Sequence, residues 1–339
     1  MEPTGYRCSE YGAVTASYVY EFEGVGLMGS GIAPPSHPGN QDEHGPGHDE
    51  SGQTSLDDYA DETGPTNRQG KTINERRERL EQILEEEMVI VESHQFGSFT
   101  RGTMVGPLSE DSDTDVMFVL SREKHGQWER GENGSSNCLR AVKRVLEKRY
   151  PNSNVSIDRN VVSVQFSDFT VDVAPAFKDD TGGYKIPDTY SDGQSWVRTN
   201  PRGYKQRFEA IDNARGGKLQ KVARVAKKLR ENRNIPVSSY HMEVMAYDYV
   251  HNHPNKDATT EELTEGFVEE LPRRVSRGTR DPVNGDRLDS NMDQANRKEA
   301  IRKAKAARKK MREARTRRRD GDSREANEKY GDALGEDID

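Results

Sequence analysis

With 31% hydrophobic and 32% charged residues and a mean hydropathy of −1.03, a chain of 339 residues is too poor in core-forming side chains to be ordered throughout. No apolar run approaches the ~20 residues that span a bilayer, and no basic stretch precedes an apolar one at the amino terminus, so a soluble cytoplasmic protein with no membrane partner is expected. Cys8 and Cys138 stand far apart without metal-like spacing, which argues against a disulfide framework or a zinc knuckle.

The formal net charge of −8 is unevenly spread, because residues 1–66 hold many carboxylates and a single basic residue, Arg7. Within them "GSGIAPPSHPGNQDEHGPGHDESGQTSLDDYADETGPT" (29–66) has almost no apolar periodicity, so 1–66 reads as a disordered acidic tail. The earlier "YVYEFEGVGLMGSG" suggests at most a short strand and is given no role. Order is expected from residue 67. "TINERRERLEQILEEE" sets Ile73, Leu80, Ile83 and Leu84 at helical spacing, and "MVIVESHQFGS" reads as a strand ending on Gly97-Ser98. A polar loop leads to the strand "TDVMFVL", and "NCLRAVKRVLEKRY" is the next helix, closed by Pro151. "SNVSIDRNVVSVQFSDFTVDVAPAF" alternates apolar and polar residues, ending on Asp172 and Pro175. From Pro201 to His251 the period turns helical, and Asn291 to Arg319 is a long basic helical stretch. The expected order is thus a mixed α/β lobe (67–200), a helical lobe (201–320) and a disordered acidic tail (321–339).

Alternate residues of a strand face the same side, so Asp113 and Asp115 in "DSDTDVMFVL" project together, and Asp172 in "FTVDVAPAF" joins them if the two strands are neighbours. Carboxylates gathered in this way repel one another unless a cation lies between them. Oxygen ligands without His or Cys nearby favour Mg²⁺ or Mn²⁺ over zinc, and Mg²⁺ completes its shell with phosphate oxygens, which points to a nucleoside triphosphate. Two such ions would activate a hydroxyl and stabilise leaving pyrophosphate. Gly97-Ser98 suits a phosphate cradle, since a residue without Cβ admits the backbone N–H groups and the hydroxyl adds a donor.

These residues, with "GSFTRGT", "YKIPDTYSDGQSWVRTNPRGY", "KLQKVARVAKKLREN" and "SSYHMEVMAYDYV", resemble the nucleotidyltransferases of the DNA polymerase β superfamily. Within it they are most similar to the cGAS/DncV-like enzymes, the CD-NTases or SMODS-domain synthetases, over residues 70–310. The resemblance implies an α+β fold: a polymerase β-like lobe with a mixed sheet and flanking helices, then a helical lobe, with the active site in the cleft between. It implies that Asp113, Asp115 and Asp172 are the catalytic metal ligands for two Mg²⁺ or Mn²⁺ ions, and that Gly97 and Ser98 form the phosphate turn. Lys227 matches a lysine directed at the donor triphosphate, and Ser239-Tyr240 a pair in which a hydroxyl reaches phosphate and an aromatic face stacks on a base. It further implies template-independent joining of nucleoside triphosphates into a cyclic di- or oligonucleotide messenger that acts on a separate effector protein in anti-phage defence. Leu229 stands where many relatives carry tryptophan, and "RRVSRGTRDPVNGDRLDSN" matches only through Asp281-Pro282, so no role passes to it.

"NRKEAIRKAKAARKKMREARTRRRD" has the charge to grip nucleic acid, but no aromatic residue interleaves to stack on bases. The favoured reading is a surface helix whose Ala300, Ala304 and Ala307 pack on the helical lobe. The alternatives left open are a linear oligoadenylate synthetase, an RNA-end enzyme of the CCA or poly(A) type, and a non-catalytic nucleic-acid-binding protein.

Overall fold

The computed structural model describes residues 56–109, 112–189, 195–290 and 292–336. Its first element is a surprise for so acidic a stretch: helix α1 (Leu56–Glu62) buries Leu56, Tyr59 and Ala60 against the carboxyl-terminal half of the chain. Helix α2 (Asn67–Glu85) follows, started by a Thr66/Gln69 capping box and buried along Ile73, Leu80, Ile83 and Leu84, the residues its periodicity marks. Strand β1 (Ile90–Phe96) runs into the four-residue turn of helix α3 (Gly97–Thr100), and strand β2 (Asp113–Leu120) leads to helices α4 (Arg122–Arg130) and α5 (Gly134–Arg149). The alternating segment after Pro151 divides into strands β3 (Asn154–Asp158), β4 (Val161–Gln165) and β5 (Thr170–Lys178), then β6 (Tyr184–Asp188) and β7 (Ser195–Thr199).

In the sheet the order is β1-β2-β5-β4-β3, with β2 and β5 parallel, the other pairs antiparallel, and β6 and β7 extending from the end of β5. β2 and β5 are central and covered on both faces, which is why "VMFVL" and "VDVAPAF" are nearly unbroken apolar runs. β5 continues through Pro175, where the sequence suggests an end. β4 pairs with β5 only as far as Val173 and β6 joins at Phe177, so Pro175 falls in the gap where no ladder bond on that side is lost.

The second half is helical: α6 (Pro201–Ala214), α7 (Lys218–Asn232), α8 (Ser239–Asn252), α9 (Thr260–Arg277), α10 (Gln294–Arg319) and α11 (Ser323–Leu334). The apolar faces of α7, α8 and α9 build one core, closed by α1, α10 and α11.

Two expectations of disorder are corrected. Residues 56–66 are ordered because Leu56, Tyr59 and Ala60 fall on one helical face, while Lys221 neutralises Asp57 at 2.5 Å and Asp61 at 2.8 Å. Within 321–339, α11 buries Ala326, Tyr330, Ala333 and Leu334, and its acids meet the basic helix through Arg317–Glu325 and Lys310–Asp332. The rest of the predicted tails, 1–55 with the "YVYEFEGVGLMGSG" segment and 337–339, lies outside the described residues. On α10, Ala300, Ala304, Ala307, Met311 and Ala314 are buried, as the surface-helix reading requires.

Candidate active site

β2 and β5 pair in parallel with Asp115 directly opposite Asp172, and Asp113 two residues earlier opposite Thr170. Asp115 and Asp172 are each only 2% exposed, and Asp113 is half-buried. The Ser163 hydroxyl on β4 donates to Asp172 Oδ1 at 2.6 Å, fixing that carboxylate from the far side. On the other flank, β1 sets Phe96 opposite Asp115, and the next residue leaves the strand as Gly97 with φ +76°. A Cβ built on Gly97 would lie 2.1 Å from Asp115 Oδ2. Glycine is therefore required twice here, for its left-handed backbone and for the carboxylate against its Cα. Ser98 is buried in the same turn, whose shape is held by Thr103 N–H donating to the Ser98 carbonyl at 2.9 Å.

The donors at this place are carboxylate oxygens, a set that fits hard divalent cations. Among the described residues, however, no three His, Cys, Asp or Glu side chains are gathered into a metal cage. Two of the expected aspartates are in register and the third stands one pleat away on the same strand.

A cleft of about 270 Å³ opens over this point, between the sheet and the helical lobe. Phe96, Gly97 and Asp115 form its floor. One wall carries Asp179 and Arg198, an ion pair at 3.3 Å, with Asn200 beyond. The opposite wall is Tyr204 of α6, Tyr240 of α8 and the loop residues Asp281 and Asn284. Tyr240 donates its hydroxyl to Asp281 Oδ2 at 2.7 Å and meets Tyr204 edge to face at 5.2 Å. Burial, then the neighbouring Asp281 charge, pushes the Tyr240 phenol well above its ordinary range, so it remains a hydrogen-bond donor at neutral pH.

Behind the phosphate turn lies a buried charge cluster. Glu243 of α8 is fully enclosed and accepts from Arg101 Nε at 2.6 Å, Thr103 Oγ1 at 2.6 Å and Lys227 Nζ at 3.1 Å. Burial alone would raise the Glu243 carboxyl, but Arg101 and Lys227 overcome that penalty and hold it down at about 2. The guanidinium of Arg101 lies 4.9 Å from the Tyr204 ring centroid and lines the cleft.

The structure thus sets Asp115 in register with Asp172 beside the Gly97-Ser98 turn, with Asp113 two residues earlier on β2, and places Tyr240 on the wall above. Of the expected site residues, Gly97, Asp115 and Tyr240 line the cleft, while Asp113, Asp172, Ser98, Lys227 and Ser239 stand off its lining. Lys227, 2% exposed, also donates to the Thr103 carbonyl at 3.2 Å and stands behind the turn, off the cleft lining. Ser239 opens α8 half-buried and likewise off that lining, and the cap hydroxyl belongs to Ser238, which accepts from His241 N–H at 3.1 Å. Sequence reasoning missed Arg101, Glu243, Tyr204, Asp179 and Arg198. Arg101 and Tyr204 lie inside stretches read as matching, "GSFTRGT" and "TNPRGY", whereas nothing local marks Glu243 as their partner.

The fold, a mixed sheet with flanking helices joined to a helical lobe, is shared with solved structures of other proteins. Residues 51–211 match the family model of the Second Messenger Oligonucleotide or Dinucleotide Synthetase (SMODS) domain. A probable cyclic nucleotide synthase of Bacillus cereus is 25% identical over 224 residues, which cover 56% of this chain and 66% of that protein. The CBASS oligonucleotide cyclase CdnC of Escherichia coli is 28% identical over 180 residues, covering 51% and 54%. The matched region therefore spans between about half and two thirds of those relatives. The solved structure of E. coli CdnC with ATP superposes with a TM-score of 0.63 at 17% identity, covering 84% of this chain and 98% of that one, which shows that the two share a fold.

Proposed function

We propose that this chain joins nucleoside triphosphates without a template, releasing pyrophosphate, and closes the product into a cyclic di- or oligonucleotide. The observation that carries the reading is Asp115 in register with Asp172 against the Cα of Gly97, at the floor of a cleft walled by both lobes. The similarity to cyclic nucleotide synthases supports it. Asp113, Asp115 and Asp172 would hold two Mg²⁺ or Mn²⁺ ions, which supply positive charge for a triphosphate and lower the pKa of an attacking hydroxyl.

Around that centre the side chains bind and orient. The Gly97-Ser98 turn offers backbone N–H groups and a hydroxyl to phosphate oxygens. Arg101, anchored through Nε by Glu243, is a cation lining the cleft beside that turn. Tyr204 and Tyr240 offer ring surface to a base, with the Tyr240 hydroxyl tethered to Asp281. Lys227 is assigned to hold Glu243 and the turn behind it rather than to touch the triphosphate directly. By the same similarity, the product would act on a separate effector in anti-phage defence.

The test is incubation of the purified chain with four labelled nucleoside triphosphates and Mg²⁺ or Mn²⁺, with phosphatase-treated products resolved by mass spectrometry beside an Asp113→Ala/Asp115→Ala control. Phosphatase-resistant cyclic products, lost in the control, are expected. Product only on addition of an RNA end, or only linear chains, would overturn cyclisation in favour of an RNA-end enzyme or a linear synthetase. Salt-sensitive RNA binding with no turnover, unaffected by the control substitutions, would instead indicate a binding protein.

A further inference from the structure

A second cavity, of about 440 Å³, lies on the helical lobe between α6, α8, the last turns of α9 and the loop after it. That volume falls in the range of about 300–1,000 Å³ typical of small-molecule sites. Its lining holds Arg207, Arg273, Arg274, Arg277 and Arg280 against two carboxylates, Asp248 and Asp281.

Two of the arginines are spent internally: Arg274 pairs with Asp248 at 2.5 Å and Glu270 at 3.1 Å, and Arg273 with Glu270 at 2.7 Å. Arg280 gives one N–H to the Gly285 carbonyl at 2.8 Å. Arg207 and Arg277 are exposed and form no ion pair among the described residues. Complementing the helix dipole accounts for basic residues in the last turn of α9, but not for Arg207 reaching the same cavity from α6 or for Arg280 beyond the helix end. A forked, always-charged guanidinium matches phosphate oxygens in pairs, and several around one concavity raise local anion density well above that of a flat basic surface.

We propose that this arginine-lined pocket binds the phosphate groups of a small molecule carrying two or more phosphates, at a site distinct from the nucleotide cleft. Arg207 and Arg277 are its main ligands, with Arg280 beside them. The pocket and the cleft share Asp281. Through Oδ2 that residue accepts from Tyr240, and through Oδ1 from the N–H groups of Val283 at 2.7 Å and Asn284 at 3.0 Å, all three on the cleft wall. A phosphate ligand drawn in beside Asp281 therefore sits against the back of the wall that would face a base. The proposal does not depend on the catalytic reading.

The experiment is calorimetric titration of the full chain with inorganic tripolyphosphate and, separately, with ATP, in EDTA at moderate ionic strength. The variants are Arg207→Ala/Arg277→Ala and, as a matched loss of charge elsewhere, Lys305→Ala/Lys309→Ala on the exposed face of α10. Tripolyphosphate should bind the unmodified chain, at least tenfold more weakly the pocket variant, and unchanged the α10 variant. Equal affinity for ATP and tripolyphosphate, both lost together, would mean the phosphates alone are recognised, and tighter ATP lost in the pocket variant would add a nucleoside contact. No binding by the unmodified chain, full binding by the pocket variant, or an equal loss in the α10 variant would overturn the proposal.

Discussion

Gly97 is the residue on which the most constraints converge. Its φ of +76° and the 2.1 Å approach a Cβ would make to Asp115 Oδ2 leave no room for alanine without moving the carboxylate. Gly97→Ala should cost about 1–3 kcal/mol of stability through backbone strain. Displacing Asp115 should lower turnover of nucleoside triphosphates by about 100-fold or more, because small misplacements at a reacting centre carry that penalty. Melting curves and single-turnover rates would check both, and an active Gly97→Ala would mean Asp115 is not held where the chemistry occurs. Glu243 makes a different kind of claim, on stability and pH. Glu243→Gln leaves Arg101 and Lys227 buried without their anion, a loss of about 3–5 kcal/mol. Because the folded carboxyl sits at about 2, below its ordinary 4.5, its contribution is complete above pH 4.5 and is lost as pH falls towards 2. The stability gap between the native chain and Glu243→Gln, followed by denaturant unfolding, should thus narrow across that window. A gap constant down to pH 2 would show that Glu243 is not the anion of this cluster.

At the scale of elements, the parts legible in the sequence were those whose signal is local. α2, α5, α7 and α10 repeat their apolar residues at helical spacing, and β2 reads as one unbroken strand. α1 and α11 were illegible because each is short and acid-rich, and what orders them is tertiary. Tyr59 of α1 donates to Glu336, just past the end of α11, at 2.8 Å, and Tyr330 of α11 donates to Glu265 of α9 at 2.5 Å. The charge that marks these segments as tails is the charge that pairs them with Lys221, Lys310 and Arg317. The same pairing reinterprets α10, many of whose cations serve Glu261, Glu269, Glu325 and Asp332 rather than an outside polyanion. Tyr59→Ala should destabilise the chain by about 3–5 kcal/mol, the range for emptying a buried aromatic site. Thermal unfolding would check it, and a melting temperature within a degree of the native value would return residues 56–66 to the status of a tail.

For the molecule as a whole, the floor of the cleft was written in contiguous motifs, whereas its walls come from segments that only the fold brings together. Asp113, Asp115, Asp172, Gly97 and Ser98 lie on two adjoining strands and the turn that follows a third, so order and spacing suffice to name them as candidates. Asp281 is 41 residues beyond Tyr240, in a loop whose sequence gives no reason to face it, and nothing local marks Lys227 as the partner of Glu243, 16 residues further on. The Tyr240–Asp281 bond ties α8 to this loop across the cleft wall, so its removal should affect holding of the nucleotide more than reaction. Tyr240→Phe retains the ring and its edge-to-face contact with Tyr204 but loses a hydrogen bond to a carboxylate. If about 1 kcal/mol of that bond's net worth is spent keeping the wall in place, KM for nucleoside triphosphate should rise by about three- to tenfold with kcat changed less. Steady-state kinetics decide the matter: a fall in kcat at constant KM would place the hydroxyl in the reaction itself, and no change in either would mean the wall holds its shape without it.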